Sequence, residues 1–307
     1  FIAALKTSDG TAVSGWDPVA NNTVRALVIS GDLLYAGGDF SHVDSTPRSF
    51  CAAIDIDTGA LDSVWNPSAS NTVYTLAVNG SIIYAGGGFT SIGGQTRNYI
   101  AALDSISGSA SAFNPNASTS VFAITATDTV VYAGGGFTTI GGQSRNYIAA
   151  LNASDGTAVT GWDPGANNEV HALALSDGVL YAGGNFTSID STSRSYIAAL
   201  DVSTGDVTSW NSDTNGAVSS LTVSGTSLYS GGYFSLSCRR TRNRIASIDT
   251  TTGLLSDFNP NANSNVLALV ASGSTIYAGG NFTSIGGQAR NYIAALNASD
   301  GSAVTGW

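Results

Sequence analysis

The chain is short of charge, and shorter still of the residue types that usually do chemistry. Only 10% of its 307 residues are charged, with a single lysine (Lys6), a single glutamate (Glu169), two histidines and no methionine. Eleven basic residues against 21 acidic ones leave a formal net charge of −10, which disfavours nucleic acid or an anionic membrane surface as the main partner. No apolar run approaches the ~20 residues of a membrane-spanning helix, so membrane insertion is not expected. No window carries a helical apolar stripe. The two cysteines, Cys51 and Cys238, fall at non-equivalent positions of the repeat described below and are expected to be unpaired. No signal peptide is visible, and a chain that begins at Phe1 without an initiator methionine is expected to be a processed product or a segment of something longer.

Glycine and repetition are abundant. The 37 glycines follow no collagen-like period, which points to turns and close strand packing. Residues 84–103 read YAGGGFTSIGGQTRNYIAAL, and the copies at 132–151 and 277–296 each differ from it at two of twenty positions. The opening tyrosine recurs at Tyr35, Tyr84, Tyr132, Tyr181, Tyr229 and Tyr277, in steps of 48 or 49. An aromatic marks a second phase at Trp16, Trp65, Phe113, Trp162, Trp210, Phe258 and Trp307. Asx-Pro follows five of these, and Asn211-Ser212 breaks the rule in the fifth repeat.

Each period holds four short strand signals, in the first repeat TVRALVIS (23–30), LLYAGGDF (33–40), RSFCAAID (48–55) and ALDSVW (60–65). Four strands in about 48 residues is the signature of a propeller blade. The expected fold is therefore an all-β propeller, a single domain of six four-stranded blades with repeat phases starting near 24, 73, 121, 170, 218 and 266. Within the motif, Tyr84 is expected between facing sheets. Ala85, Gly86 and Gly87 are expected to let a neighbouring blade approach, Gly93-Gly94 to turn the chain, and Ile100–Leu103 to form a buried strand. A phosphate cradle is disfavoured by the glycine spacing and by the lack of a following helix.

The motif YAGGxFTxIGGQxRNYIAAL resembles the bacterial secreted β-propeller repeats called delta-sixty repeats, and the resemblance covers every repeat. It implies an extracellular or cell-surface protein and carries no catalytic residues or cofactor. A looser resemblance is to quinoprotein propellers, whose docking motif Ala53–Gly59 with Trp65 approximates, with too long a gap before the tryptophan.

Candidate sites are few. An arginine recurs once per blade (Arg48, Arg97, Arg145, Arg194, Arg242, Arg290). Such symmetry favours a structural tie of a loop to backbone carbonyls, or to an Asp of its own or the next blade, over an anion-binding ring. Arg239, Arg240 and Arg244 in CRRTRNR are extra to the repeat, and are either a solvated loop or a docking patch for acidic groups. His171 shares its repeat position with Arg25, Tyr74, Phe122, Ser219 and Leu267, a slot that tolerates almost anything. Catalysis or metal ligation through His42 and His171 is disfavoured. The Asp55–Gly59 type of turn is expected to be a hairpin rather than a calcium loop. Seven sequons, Asn21, Asn79, Asn116, Asn152, Asn185, Asn281 and Asn297, are candidate glycosylation sites if the source organism glycosylates secreted protein.

Residues 1–16 (FIAALKTSDGTAVSGW) and 292–307 (YIAALNASDGSAVTGW) are equivalent strand pairs, so seven copies serve six blades. One pair is surplus, and its exposed edge invites strand addition by a neighbouring chain. Ile2, Leu5, Trp16, Ile293, Leu296 and Trp307 are the candidate contacts of such a head-to-tail assembly. The alternative is a segment of a longer array. The expected function is non-enzymatic: a structural or adhesive surface protein, with self as partner and a head-to-tail oligomer or filament as product. The alternatives are a glycan- or protein-binding, lectin-like propeller and, less favoured, a propeller hydrolase, which would need unlike acids or histidines converging on one point.

Overall fold

The computed structural model describes residues 2–307, so Phe1 lies outside the described residues. Among them every regular element is a strand. The first repeat contains β1 (Val24–Ser30), β2 (Leu33–Gly38), β3 (His42–Val43), β4 (Thr46–Pro47) and β5 (Cys51–Asp55). Strands β1, β2 and β5 form an antiparallel sheet in that order, while β3 and β4 make a separate small hairpin. The fourth strand signal is present as one bridge, Ile54 to Leu61. Hydrogen bonds flank it from Asp55 N to Ala60 O at 2.8 Å and from Asp62 N to Ala53 O at 2.9 Å. The same arrangement recurs with first strands beginning at Val24, Val73, Val121, Val170, Val218 and Val266, which are the repeat phases read from the sequence. The protein has a β-propeller fold.

The chain divides into two compact units, Phe1–Thr160 and Gly161–Trp307, with three blades in each. Inside each unit, consecutive blades interlock through the glycines of the motif. A methyl group added at Gly86 would lie 2.9 Å from Val121 Cγ1 and 3.0 Å from Ile124 Cδ1 of the next blade. Gly37 meets Val73 in the same way at 2.6 Å, Gly183 meets Val218 at 2.6 Å and Gly231 meets Val266 at 2.8 Å. Only a residue without a side chain lets the blades approach this closely. The motif tyrosine then reaches across, Tyr35 Oη donating to Ser105 O at 2.7 Å and Tyr181 Oη to Thr250 O at 3.2 Å. The strand Ile100–Asp104 is buried along Ile100–Leu103, as its unbroken apolar run predicts.

The second glycine of the pair does something else. A methyl group at Gly87 would sit 2.2 Å from the Thr72 carbonyl oxygen of its own blade. This corrects the reading of Gly87 as a second contact for the neighbouring blade. It makes room instead for an irregularity in the first strand.

The terminal pairs differ. Ile293–Asn297 pairs with Thr275–Gly280, and Leu296 bridges Ala303, so residues 292–307 complete the sixth blade. Residues 2–16 form a pair of their own through the bridge of Leu5 to Ala12 and the bond from Val13 N to Ala4 O at 2.9 Å. Among the described residues no inner strand pairs with residues 2–4. Trp16 nevertheless packs against Gly59 of the first blade, 3.3 Å from where a methyl group would be, as Trp162 and Pro164 pack against Gly205. Residues 2–16 therefore stand against the first blade as the outer strands of a preceding blade would.

Candidate functional site

In all six blades the first strand carries a β-bulge at the same place. The register shifts between Val24 and Ala26, Val73 and Thr75, Val121 and Ala123, Val170 and Ala172, Val218 and Ser220, and Val266 and Ala268. The extra residue is Arg25, Tyr74, Phe122, His171, Ser219 and Leu267 in turn. The glycine just described permits the bulge, because the carbonyl of residue 72 folds over Gly87 and accepts the Gly88 N–H at 2.9 Å. A bulge re-aims one side chain, and here it does so once per blade at the position where the repeat is least repetitive.

Within the first unit three of these side chains form a row. Arg25 grips Asp39 through Nε, 3.0 and 2.9 Å from the two carboxylate oxygens, and through Nη2 at 2.7 Å. The Thr72 hydroxyl donates to Asp39 at 2.9 Å. The Arg25 hydrogen bonds hold the Asp39 carboxyl below the usual aspartate value, with Thr72 adding to the effect. The guanidinium carbon lies 5.7 Å from the centroid of the Tyr74 ring, and Tyr74 lies 5.7 Å from Phe122 at an interplanar angle of 54°. A cation over an aromatic face, followed by a tilted ring pair, is an attractive sequence of contacts.

In the fourth blade the slot is polar. His171 Nε2 is 3.4 Å from Glu169 Oε2, and Asn185 Nδ2 lies 3.0 Å from the imidazole and 3.3 Å from the glutamate. The only glutamate and one of two histidines are thus brought together, a pairing that the sequence analysis missed. Burial lowers the His171 imidazole from its ordinary 6.5, against the opposing pull of Glu169. An unfolded chain therefore takes up this proton first, and stability is lost as pH falls below about 6.5 toward the lowered folded value. His171→Gln is expected to flatten that part of a urea-midpoint titration. A slope unchanged by the substitution would show that another group titrates there.

The other sequence candidates are used by the fold. Each repeated arginine clamps two backbone carbonyls, as Arg48 does to Pro47 O at 2.9 Å and Asp62 O at 2.8 Å. Arg97 does the same to Thr96 O at 2.8 Å and Ser111 O at 2.6 Å. The clamp ties the small hairpin to the outer edge of its blade, and Arg145, Arg194, Arg242 and Arg290 repeat it. The Asp turns are closed by their own backbone: Asp104 Oδ1 accepts from Ser107 N at 2.7 Å and from its hydroxyl at 2.9 Å. These bonds hold Asp55, Asp104, Asp201 and Asp249 below the usual 3.8. Stability from these turns is present above about pH 3.8 and is lost as pH falls through the lowered folded values.

The extra arginines part company. Arg244 stands at a left-handed position (φ 67°) that Tyr99, Tyr147, Tyr196 and Tyr292 hold elsewhere, and its Nη1 donates to Tyr233 O. Arg239 and Arg240 are exposed at the tip of the Leu236–Thr241 hairpin. His42 lies on the first small hairpin, its Nδ1 3.0 Å from Ser41 Oγ. Cys51 is buried and free, its thiol pushed up to about 12 by burial, and Cys238 is free beside Ser212 Oγ at 2.8 Å. Among the sequons, Asn21, Asn116, Asn281 and Asn297 are exposed. The amides of Asn21, Asn152 and Asn297 donate to Ser41, Thr157 and Ser302, Asn185 belongs to the His171 cluster, and Asn79 is half-buried. Of the candidate assembly contacts, Leu296 and Trp16 are buried, Trp307 is half-buried against Tyr277, and Ile293 is 45% exposed. Ile2 and Leu5 are half-buried.

Blades, interlocking glycines and repeat together define a β-propeller repeat protein. A family described as a domain of unknown function (DUF5122) β-propeller matches residues 130–158, 175–201 and 275–303. No curated protein shows significant similarity to the sequence. Among solved structures, the chain is similar to the WD40 β-propeller domain of Doa1, with 14% identity, TM-score 0.58, and coverage of 83% of this chain and 74% of that one. It is also similar to the computationally designed protein Ika8, with 15% identity, TM-score 0.55, and coverage of 92% and 85%. A chain of a mitotic checkpoint complex gives 15% identity, TM-score 0.60, and coverage of 89% and 76%. At these identities the likeness concerns the fold.

Proposed function

We propose that the protein is a non-enzymatic structural or adhesive repeat protein of the cell surface or extracellular space, and that it assembles head-to-tail with further copies of itself. One observation carries this reading: residues 2–16 repeat the outer strand pair 292–307 and, among the described residues, pair with no inner strand. Their backbone edge is unpaired, and such an edge gains most by adding a strand from another chain. The acceptor is the edge of Thr275–Gly280 in a second copy, where Ile293–Asn297 now sits. The two terminal pairs are identical at 11 of 16 positions, so the exchange replaces one pair by a near twin at little cost. A contact of one end with the other, repeated without rotational closure, grows a filament. The non-enzymatic reading is supported by the use of the six arginines and the Asp turns within the fold. The surface location rests on the motif's resemblance and on a polar, lysine-poor composition.

The test is deletion of residues 1–16. Assembly followed by light scattering and electron microscopy is expected to be lost, while the circular dichroism of the six complete blades is retained. Polymers identical to those of the parent would rule out strand donation by this end. A second reading, a binding propeller, is favoured by the bulge row, a structural position where all six blades present unlike side chains.

A further inference from the structure

The residue after the Gly-Gly pair is the natural partner of the bulged residue in its own blade. Asp39 holds Arg25 in the first blade, and Asn185 contacts His171 in the fourth. In the second blade that position is Gly88, beside Tyr74. A methyl group placed there would lie 3.5 Å from Tyr74 Oη and 3.7 Å from Asn71 Nδ2, ordinary contacts, so the space for a side chain is present and open. Asn71 uses its carbonyl oxygen to cap Thr72 N at 2.8 Å, which leaves its amide nitrogen unengaged. Tyr74 Oη likewise makes no hydrogen bond, so a donor and a donor–acceptor converge on one notch.

The walls of this notch are aromatic and cationic. The Tyr74 ring packs at a tilt against Phe122 and lies within reach of the Arg25 guanidinium. Arg25 spends Nε and Nη2 on Asp39, and its Nη1 is available to a ligand oxygen on a side chain that is 45% exposed. The guanidinium and the carboxylate cancel, and the chain as a whole carries −10, which disfavours an anionic ligand. A ligand suited to these groups has an apolar face for the rings and neutral hydroxyls for Tyr74, Asn71 and Arg25. We propose that the Gly88 notch, walled by Tyr74, Phe122 and Arg25, binds a neutral pyranose sugar. One ring hydroxyl takes the place of the missing side chain, and the C–H face of the sugar rests on the aromatic pair. This gives one site in the first unit, since no other blade combines an aromatic bulge residue, a glycine partner and a neighbouring arginine–aspartate pair. The assignment rests on the binding reading above and is independent of the assembly reading.

The experiment uses the full chain and four probes: methyl glucoside, methyl galactoside, methyl mannoside and N-acetylglucosamine. Saturation-transfer NMR detects binding and titration gives its stoichiometry. At least one probe is expected to bind at one site per chain with Kd on the order of 1 mM. Gly88→Asn installs the side chain that the fourth blade carries, at a backbone position outside the left-handed region. It is expected to weaken binding roughly tenfold with the thermal midpoint unchanged, and Tyr74→Phe to weaken it about fivefold. Binding that survives Gly88→Asn, or that saturates near one sugar per blade, overturns this site while leaving the binding reading standing. Failure of all four sugars to bind overturns the sugar assignment, and takes from the binding reading its best-formed site.

Discussion

Replacing Gly87 with alanine is expected to lower the unfolding free energy by roughly 3 kcal/mol, near the upper end for overpacking substitutions. The added methyl group would meet the Thr72 carbonyl oxygen at 2.2 Å, and Phe89 Cδ1 and Val73 Cα at 3.0 Å. The first of these is backbone and cannot swing aside. That carbonyl accepts the Gly88 N–H and forms one wall of the bulge that carries Tyr74, so relief requires undoing the bulge. The clash is local to one blade, which separates it from a failure of blade-to-blade packing. Gly88→Ala, one residue on, is the control: its methyl group makes only ordinary contacts and is expected to change stability by less than about 0.5 kcal/mol. Urea unfolding of the two variants measures the difference. A loss of less than about 1 kcal/mol for Gly87→Ala would mean that the bulge adapts to a side chain.

Much of this architecture is legible in the sequence because it is written six times. The first strands start where the repeat phase puts them, and the arginine clamp follows from a residue that recurs once per blade without variation. The blades interlock through the first glycine of the pair, as the lack of side-chain bulk suggests. The bulge was hidden for a physical reason. It is a mismatch of one residue between two strands, so it exists only in their pairing register and leaves no periodicity in either strand alone. The bulge also decides the role of the second glycine, which makes room within its own blade and not for the neighbour. Variation at a buried, packed position does signal tolerance; variation at a position re-aimed by a bulge marks where blades differ in what they present. The Glu169–His171–Asn185 cluster lay behind the same obstacle, because the bulge and the hairpin bring residues 2 and 14 apart in sequence onto one spot. Which terminal pair is surplus was beyond a sequence argument, since the two pairs are near twins and only the ladder to Thr275–Gly280 distinguishes them.

Trp65→Ala is expected to cost about 3–5 kcal/mol, and Trp65→Phe only about 1 kcal/mol. Trp65 is fully buried, stands edge-on to Tyr35 at 4.9 Å and 78°, and donates its indole N–H to Asp104 O of the next blade at 3.1 Å. Truncation to alanine removes the largest side chain in that layer and leaves Tyr35 without its ring partner. Other blades show which part of the tryptophan matters. Phe113 meets Tyr84 at 5.5 Å and 73°, and Phe258 meets Tyr229 at 5.1 Å and 79°, so a phenyl ring reproduces the edge contact without an N–H. The Asp104 carbonyl also accepts the Gly108 N–H at 3.0 Å, so loss of the indole bond leaves no buried acceptor unpaired. The phenylalanine variant therefore forfeits one ordinary hydrogen bond and a little volume, while the alanine variant forfeits a layer of the core. Urea midpoints of the two variants, read against the parent, give the ratio. Equal losses for phenylalanine and alanine would show that the first blade needs the indole itself, and that its aromatic layer is not interchangeable with those of the second and fifth blades.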